Sequence, residues 1–219
     1  VKYFSPGAKY YHCAEAIRPA IYDSKEKWSY SQSDTIKIVT IASAGNLKGN
    51  NIILETARIL KRMGVNFTWR VSGDRRIIAA FERITGIRAS DVNVEPLGYI
   101  NVDQVKQELL NAEIFVLPSI IDNSPNSLCE AQLIGTPVIA SYVGGIPQMV
   151  ENGKTGILYP HNEPYTLAFK ILELHGSPDT LKPLSANEID MSHPRHDPQQ
   201  LATRIKEIYA DVINSHDKN

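Results

Sequence analysis

The chain has 219 residues, 42% of them hydrophobic and 21% charged, and a formal net charge of -1. That length holds one large domain or two small ones, and the apolar fraction is that of a globular chain, not a disordered one. Balanced charge argues against a protein whose main task is holding nucleic acid, and no run of about 18 apolar residues exists to span a membrane. The first residues, VKYFSPGAKYY, lack a basic stretch followed by an apolar one, so no signal peptide is expected. A start at Val1 reads as an excised piece. Cys13 and Cys129 stand far apart and outside any CxxC pair, which suits two free thiols and a cytoplasmic setting. The histidines are scattered, and no metal site is expected. His193 and His196 share MSHPRHDP, but Pro194 and Pro198 oppose the helix that would align them, so both are expected at the surface.

Residues 1–34 are rich in Tyr, Ser and Lys, with a short helical stretch around His12 to Tyr22. A regular alternation begins at Thr35. Ile36 to Ala42 is nearly all apolar or β-branched, which predicts a strand buried on both faces. Ile53, Ala57, Leu60 and Met63 follow at helical spacing, closed by Gly64. Phe67, Trp69 and Val71 alternate as a strand. Ile77, Phe81 and Ile84 mark a helix stopped by Gly86. Val92 to Glu95 reads as a short strand. Asn101 with Gln104 is a variant capping box for a helix carrying Val102, Val105 and Leu109. Ile114 to Leu117 is a buried strand. Ser124-Pro125 reads as a helix start, with Ser as cap and Pro in the first helical position. Gly135 ends that helix. Strands are expected at Pro137 to Ala140 and Gly156 to Tyr159, and helices at about 163–175 and 198–214.

Strands alternating with helices predict a parallel sheet covered on both faces, with ligands bound beyond the carboxyl ends of the strands. The most informative loop there is Pro118-Ser-Ile-Ile-Asp-Asn-Ser-Pro-Asn-Ser-Leu-Cys-Glu130. Asp122 lies in it, and Glu130 lies eight positions later, inside the helix, from where its side chain leans back toward the crevice. Two carboxylates around a helix start suit a ligand with several hydroxyls, and the free amides of that start suit an anion. The alternative is an acid complementing the helix dipole plus an ordinary helical Glu. In Ser43-Ala-Gly-Asn-Leu-Lys-Gly49, Gly45 and Gly49 permit close backbone approach and Lys48 supplies a cation. Phosphate binding is one reading and a solvated loop lysine the other. Gly144-Gly145 serves either close packing or ligand approach. Asn152-Gly153 reads as a tight turn. Gly98 and Tyr99 either let a flat base lie against backbone or form a plain turn. Glu188 and Asp190 are taken as surface acids.

Taken in order, these pieces resemble the C-terminal half of retaining GT-B glycosyltransferases of the family 4 type. Ile114 to Leu158 carries most of the likeness: strand, PS, acid-x7-Glu, PN, EA, Gly-Thr-Pro-Val, VGGIP and ENGKTG, with Lys48-Gly49 as a second anchor. The resemblance implies an α/β fold, a Rossmann-like three-layer α/β/α domain with a mostly parallel sheet. It implies an interdomain segment or the end of an N-terminal domain at 1–34, the donor domain at 35–195 and a closing helix at 196–219. It further implies a nucleoside-diphosphate sugar as donor, with Asp122 on the sugar and Glu130 on the ribose hydroxyls as the catalytic pair. Lys48 would meet the diphosphate, the backbone of Asn123, Ser124 and Asn126 the sugar and distal phosphate, and Gly98 and Tyr99 the base. Gly45 belongs to the phosphate loop. No metal or other cofactor is implied.

The chain departs from the family pattern at Ser43, where an Arg is usual, at Asp122 for Glu, at Asn123 for Gly and at Gln148 for Glu. In the family, the acceptor site and a histidine near the reaction centre come from an N-terminal domain, so this stretch alone is expected to bind donor weakly and to transfer no sugar. A saccharide or lipid-linked acceptor, with peripheral membrane association of the whole protein, would be determined there. The alternatives are a non-catalytic nucleotide-sugar-binding module, or a GT-B epimerase or phosphorylase. Fold alone does not choose among them.

Overall fold

The computed structural model describes residues 6–42 and 46–216. Six strands form one wholly parallel sheet: β1 Ile36–Ile41, β2 Phe67–Ser72, β3 Val94–Gly98, β4 Ile114–Leu117, β5 Val138–Ser141 and β6 Ile157–Tyr159. Their spatial order is β3-β2-β1-β4-β5-β6. The order reverses between β1 and β4, so a crevice must open above their carboxyl ends. Every residue of β4 and β5 is buried, as the unbroken apolar runs predicted.

The helices are α1 Pro19–Tyr22, α2 Asn50–Arg62, α3 Arg75–Thr85, α4 Val102–Asn111, α5 Asn126–Ile134, α6 Ile146–Met149, α7 Pro164–Leu174, α8 Pro178–Arg195 and α9 Pro198–His216. Helices α2, α3 and α7 pack together in one layer, and α1, α4, α5 and α8 in the other. Thr40 is a buried polar residue of the central strand, and it is fully engaged. Its hydroxyl donates to the Val116 carbonyl at 2.7 Å and accepts from the Trp69 indole at 3.1 Å. The predicted capping box is present: Asn101 accepts from the Gln104 amide at 2.9 Å, and Gln104 accepts from the Asn101 amide at 2.9 Å.

Several expectations need correction. The third strand starts at Val94 because Ala89–Val92 is a short 3-10 turn. Helix α5 starts at Asn126, with Pro125 in the cap position, not at Pro125 with Ser124 as cap. The Ser124 hydroxyl lies 3.9 Å from the Met149 sulfur instead. The stretch at 12–22 is helical only over Pro19–Tyr22.

Helix α8 was not expected, and two internal prolines, Pro183 and Pro194, explain why. It forms regardless because Leu181, Leu184, Ser185, Glu188 and Ser192 are buried, and because it packs on α5. Two residues expected at the surface are therefore inside. His196 is fully buried, with its Nδ1 2.8 Å from the Glu15 carbonyl, whereas His193 is exposed and lies against the Tyr22 ring. Glu188 is fully buried too, whereas Asp190 is exposed. From the described stretch ahead of β1, Ile17, Ile21, Tyr22 and Trp28 join the main core.

Burial pushes the Glu188 carboxyl well above its ordinary range, and among the described residues only its Oε1 has a partner, the Val138 amide at 3.0 Å. A folded state that keeps this proton while the unfolded chain releases it loses stability as pH rises above the usual carboxylate pKa. The loss is about 1.4 kcal/mol per pH unit while the folded group stays protonated. Glu188→Gln removes that linkage. Melting curves from pH 5 to 8 are expected to show the variant gaining steadily on the parent. Parallel curves would mean that Glu188 does not titrate differently on folding.

Candidate functional site

A cleft of about 560 Å³ opens where the strand order reverses. Its floor is made by the ends of β1 and β2, at Ala42, Ser72 and Gly73, with Tyr99 and Ile100 following β3. Its charged wall is Arg18, Lys48, Asp122 and Glu130, flanked by Ser124, Asn126 and Ser127.

Lys48 and Asp122 arrive from different loops that are laced together. The Ile120 amide donates to the Leu47 carbonyl at 2.8 Å. Gly49 takes a left-handed φ of 72°, and a Cβ there would stand 1.9 Å from the Pro118 carbonyl oxygen. Only glycine fits that approach, which seats Lys48 beside the Asp122 loop. Asp122 Oδ2 accepts from Lys48 Nζ at 2.5 Å and from the Ser119 hydroxyl at 3.0 Å. The Ser119 carbonyl is held in turn by the Ser141 hydroxyl at 2.6 Å.

The glycine pair settles as close packing. The Gly145 amide donates to the Asp122 carbonyl at 3.1 Å. A Cβ on Gly144 would fall 1.8 Å from the Asp122 oxygen, and one on Gly145 2.0 Å from the Asn123 oxygen. The VGGIP loop is thus a backstop that holds the acid loop in place. Gly153 closes the predicted turn, its amide donating to Gly156 at 2.8 Å, while Asn152 accepts from the Leu158 amide at 2.8 Å.

Glu130 lies on α5, a helix buried from Leu128 to Ile134. Its side chain is 6% exposed and accepts from Arg18 Nε at 2.8 Å and Arg18 Nη2 at 2.6 Å. Burial raises its pKa, and the Arg18 charge and hydrogen bond work against that rise. Among the described residues no side chain caps α5; its Leu128 amide donates to the Pro125 carbonyl at 3.0 Å, so the amides of Asn126 and Ser127 are the ones a ligand could meet. The neighbouring Cys129 thiol is pushed up to about 12 by burial, which makes it inert.

The structure therefore brings Lys48, Tyr99, Asp122, Ser124, Asn126 and Glu130 to one cleft. Gly98 and Asn123 stand back from it. A Cβ on Gly98 would meet Arg75 Nε at 3.1 Å, and Asn123 is an exposed residue against Gly145. Gly45 and Ser43 lie outside the described residues. Sequence reasoning missed Arg18, which no motif distinguishes. Among the described residues, no three His, Cys, Asp or Glu side chains gather as metal ligands, and no helix is long and apolar enough to cross a membrane.

Residues 35–177 match the family model described as "Glycosyl transferases group 1". The chain belongs to this family. It is 33% identical over 148 residues to the putative colanic acid biosynthesis glycosyltransferase WcaL of Salmonella typhimurium, which is 63% of this chain and 36% of WcaL. It is 31% identical over 147 residues to the amylovoran biosynthesis glycosyltransferase AmsK of Erwinia amylovora, or 64% of this chain and 36% of AmsK. The chain thus spans about a third of the length of these relatives. Among solved structures it resembles TarM (TM-score 0.71, 16% identity, 85% of this chain, 37% of TarM). It also resembles Anabaena HepE in complex with UDP-glucose (TM-score 0.69, 20% identity, 81% of this chain, 49% of HepE). These likenesses place the fold as the Rossmann-like three-layer α/β domain of GT-B glycosyltransferases.

The backstop is open to test. Gly145 has an ordinary φ of -90°, so an alanine there is penalised by contact alone. Gly145→Ala is expected to cost about 1–3 kcal/mol in urea denaturation, the usual range for overpacking. An unchanged midpoint would show that the acid loop does not need this support.

Proposed function

We propose that this domain binds the nucleoside-diphosphate sugar donor of a retaining glycosyltransferase that builds a polysaccharide or glycoconjugate. The observation that carries the reading is the meeting of Asp122, Glu130, Lys48 and an uncapped helix start in one cleft at the strand-order reversal. The colanic acid and amylovoran names of its relatives support the biosynthetic context, and the UDP-glucose in HepE supports the donor class.

Each group then has a task. Glu130 accepts hydrogen bonds from the ribose hydroxyls. The base lies beside Tyr99 and Ile100. The diphosphate faces the first amides of α5 and Lys48. Lys48 is already bonded to Asp122, so donor entry requires it to share its charge. As it turns toward phosphate, an Asp122 oxygen is released to accept from a sugar hydroxyl. Charge that builds on the departing diphosphate is met by Lys48 and the helix start, both in place before the reaction. The proposal uses no metal. The acceptor is a saccharide or lipid-linked saccharide, held by a part of the protein outside this chain. Transfer therefore needs that part, and the chain alone binds without transferring.

Calorimetric titration with UDP, GDP and ADP tests the reading, with selective binding of one nucleotide expected. No heat from any of the three at millimolar concentration would sink it. Glu130→Gln is expected to weaken the selected nucleotide by about 1.5–3 kcal/mol, the worth of a hydrogen bond to a charged group. Lys48→Ala should penalise the diphosphate more than the monophosphate of the same nucleoside. Equal losses on both would remove Lys48 from the phosphate site.

A further inference from the structure

Arg18 precedes the residues that match the family model, 35–177. It nonetheless stands in the wall of the cleft, between the donor site and the segment that leads into the domain. That segment is a fixed wall. The Trp28 amide donates to the Ile134 carbonyl at 2.9 Å, its indole to the Ala112 carbonyl at 2.7 Å, and Lys27 Nζ to the Leu133 carbonyl at 2.7 Å. Ile17, Ile21 and Tyr22 are buried on the way. The segment is thus fastened to the far end of α5, the helix that carries Glu130.

The contact itself is asymmetric. Arg18 is 47% exposed and Glu130 6%, so the guanidinium sits at the mouth and the carboxylate inside. Both Arg18 contacts end on Oε1, and neither uses Oε2. A carboxylate this buried is driven toward its neutral form unless a cation stands beside it. Other titratable and charged groups around α5 are engaged or act elsewhere. Glu188 accepts from Val138, Lys106 pairs with Glu26, and Glu15 and Arg195 act on the neighbouring Cys129. Across the cleft, Asp122 is paired with Lys48.

We propose that Arg18 is a positioning residue of the donor site: it pairs with the buried Glu130 carboxylate and clamps one oxygen so that the other serves the paired hydroxyls of a ribose. This rests on the donor-binding reading above. It extends the functional site upstream of the matched domain, into a segment that a sequence reading assigns to a mere connection.

The test uses the 219-residue chain, with Arg18→Met, Arg18→Lys and Glu130→Gln variants. Carbon-13 NMR of the Glu130 carboxyl gives its titration midpoint, and calorimetry with UDP, GDP and ADP at pH 6 and pH 8 gives affinity. Arg18→Met should raise the midpoint. It should weaken the nucleotide that the parent binds about tenfold at pH 8, and by more at pH 6, where more Glu130 is protonated. Arg18→Lys should recover part of both effects. In the Glu130→Gln background, Arg18→Met should add little. An unchanged midpoint, or an equal affinity loss with and without Glu130, would make Arg18 scaffolding and overturn the proposal. Tighter binding by Arg18→Met would make it a plug, and also overturn it. A parent chain that binds none of the three nucleotides would bring down the donor reading itself and with it the ribose role. A failure of the proposal alone leaves parental binding intact. If Arg18→Met does not fold, Arg18→Lys still decides, through the midpoint and the pH dependence of binding.

Discussion

The reversal of strand order between β1 and β4 governs everything above the sheet. Connections on either side of that point leave in opposite directions, which opens a gap above the carboxyl ends of β1 and β4. The gap becomes useful only because its two rims are then tied together. The Ile120–Leu47 hydrogen bond, the approach of Gly49 to Pro118 and the backstop of Gly144 and Gly145 bring Lys48 to Asp122 and hold it there. A polar constellation assembled from such distant stretches depends on backbone contacts that only glycine permits.

The cleft is balanced in charge. Each of its two carboxylates faces one cation, Asp122 with Lys48 and Glu130 with Arg18. An isolated buried charge costs several kcal/mol, and pairing answers that cost. On the proposed reading, an incoming diphosphate would meet cations already in use. Binding would then work by redistribution of existing bonds, which suits a near-neutral protein. A chain with a net charge of -1 needs no basic surface to hold a diphosphate if one lysine and one helix end point at it.

Much of this was legible in the residues. The apolar runs at 36–41 and 114–117 marked the central strands, Asn101 and Gln104 marked a helix start, and the spacing from Asp122 to Glu130 put two acids at one crevice. These are local signals, and local physics sets them. Helix α8 was hidden because Pro183 and Pro194 speak against a helix while packing on α5 speaks for one, and packing wins. Ser124-Pro125 resembled a cap, yet the chain needs one more residue to turn out of the acid loop before α5 begins. Glu188 and His196 looked like surface residues because burial is a property of the packed molecule, not of the letters. Arg18 was invisible for the same reason: its partner is 112 positions away.

A crystal structure of the chain with the nucleotide sugar selected by calorimetry tests the central claim most directly. The account predicts the ribose hydroxyls on Glu130 with Arg18 still beside it, the diphosphate at the first turn of α5, and Lys48 turned from Asp122 toward phosphate. A nucleotide seated elsewhere, or a loaded cleft with Lys48 and Asp122 unmoved and the ribose away from Glu130, would contradict it.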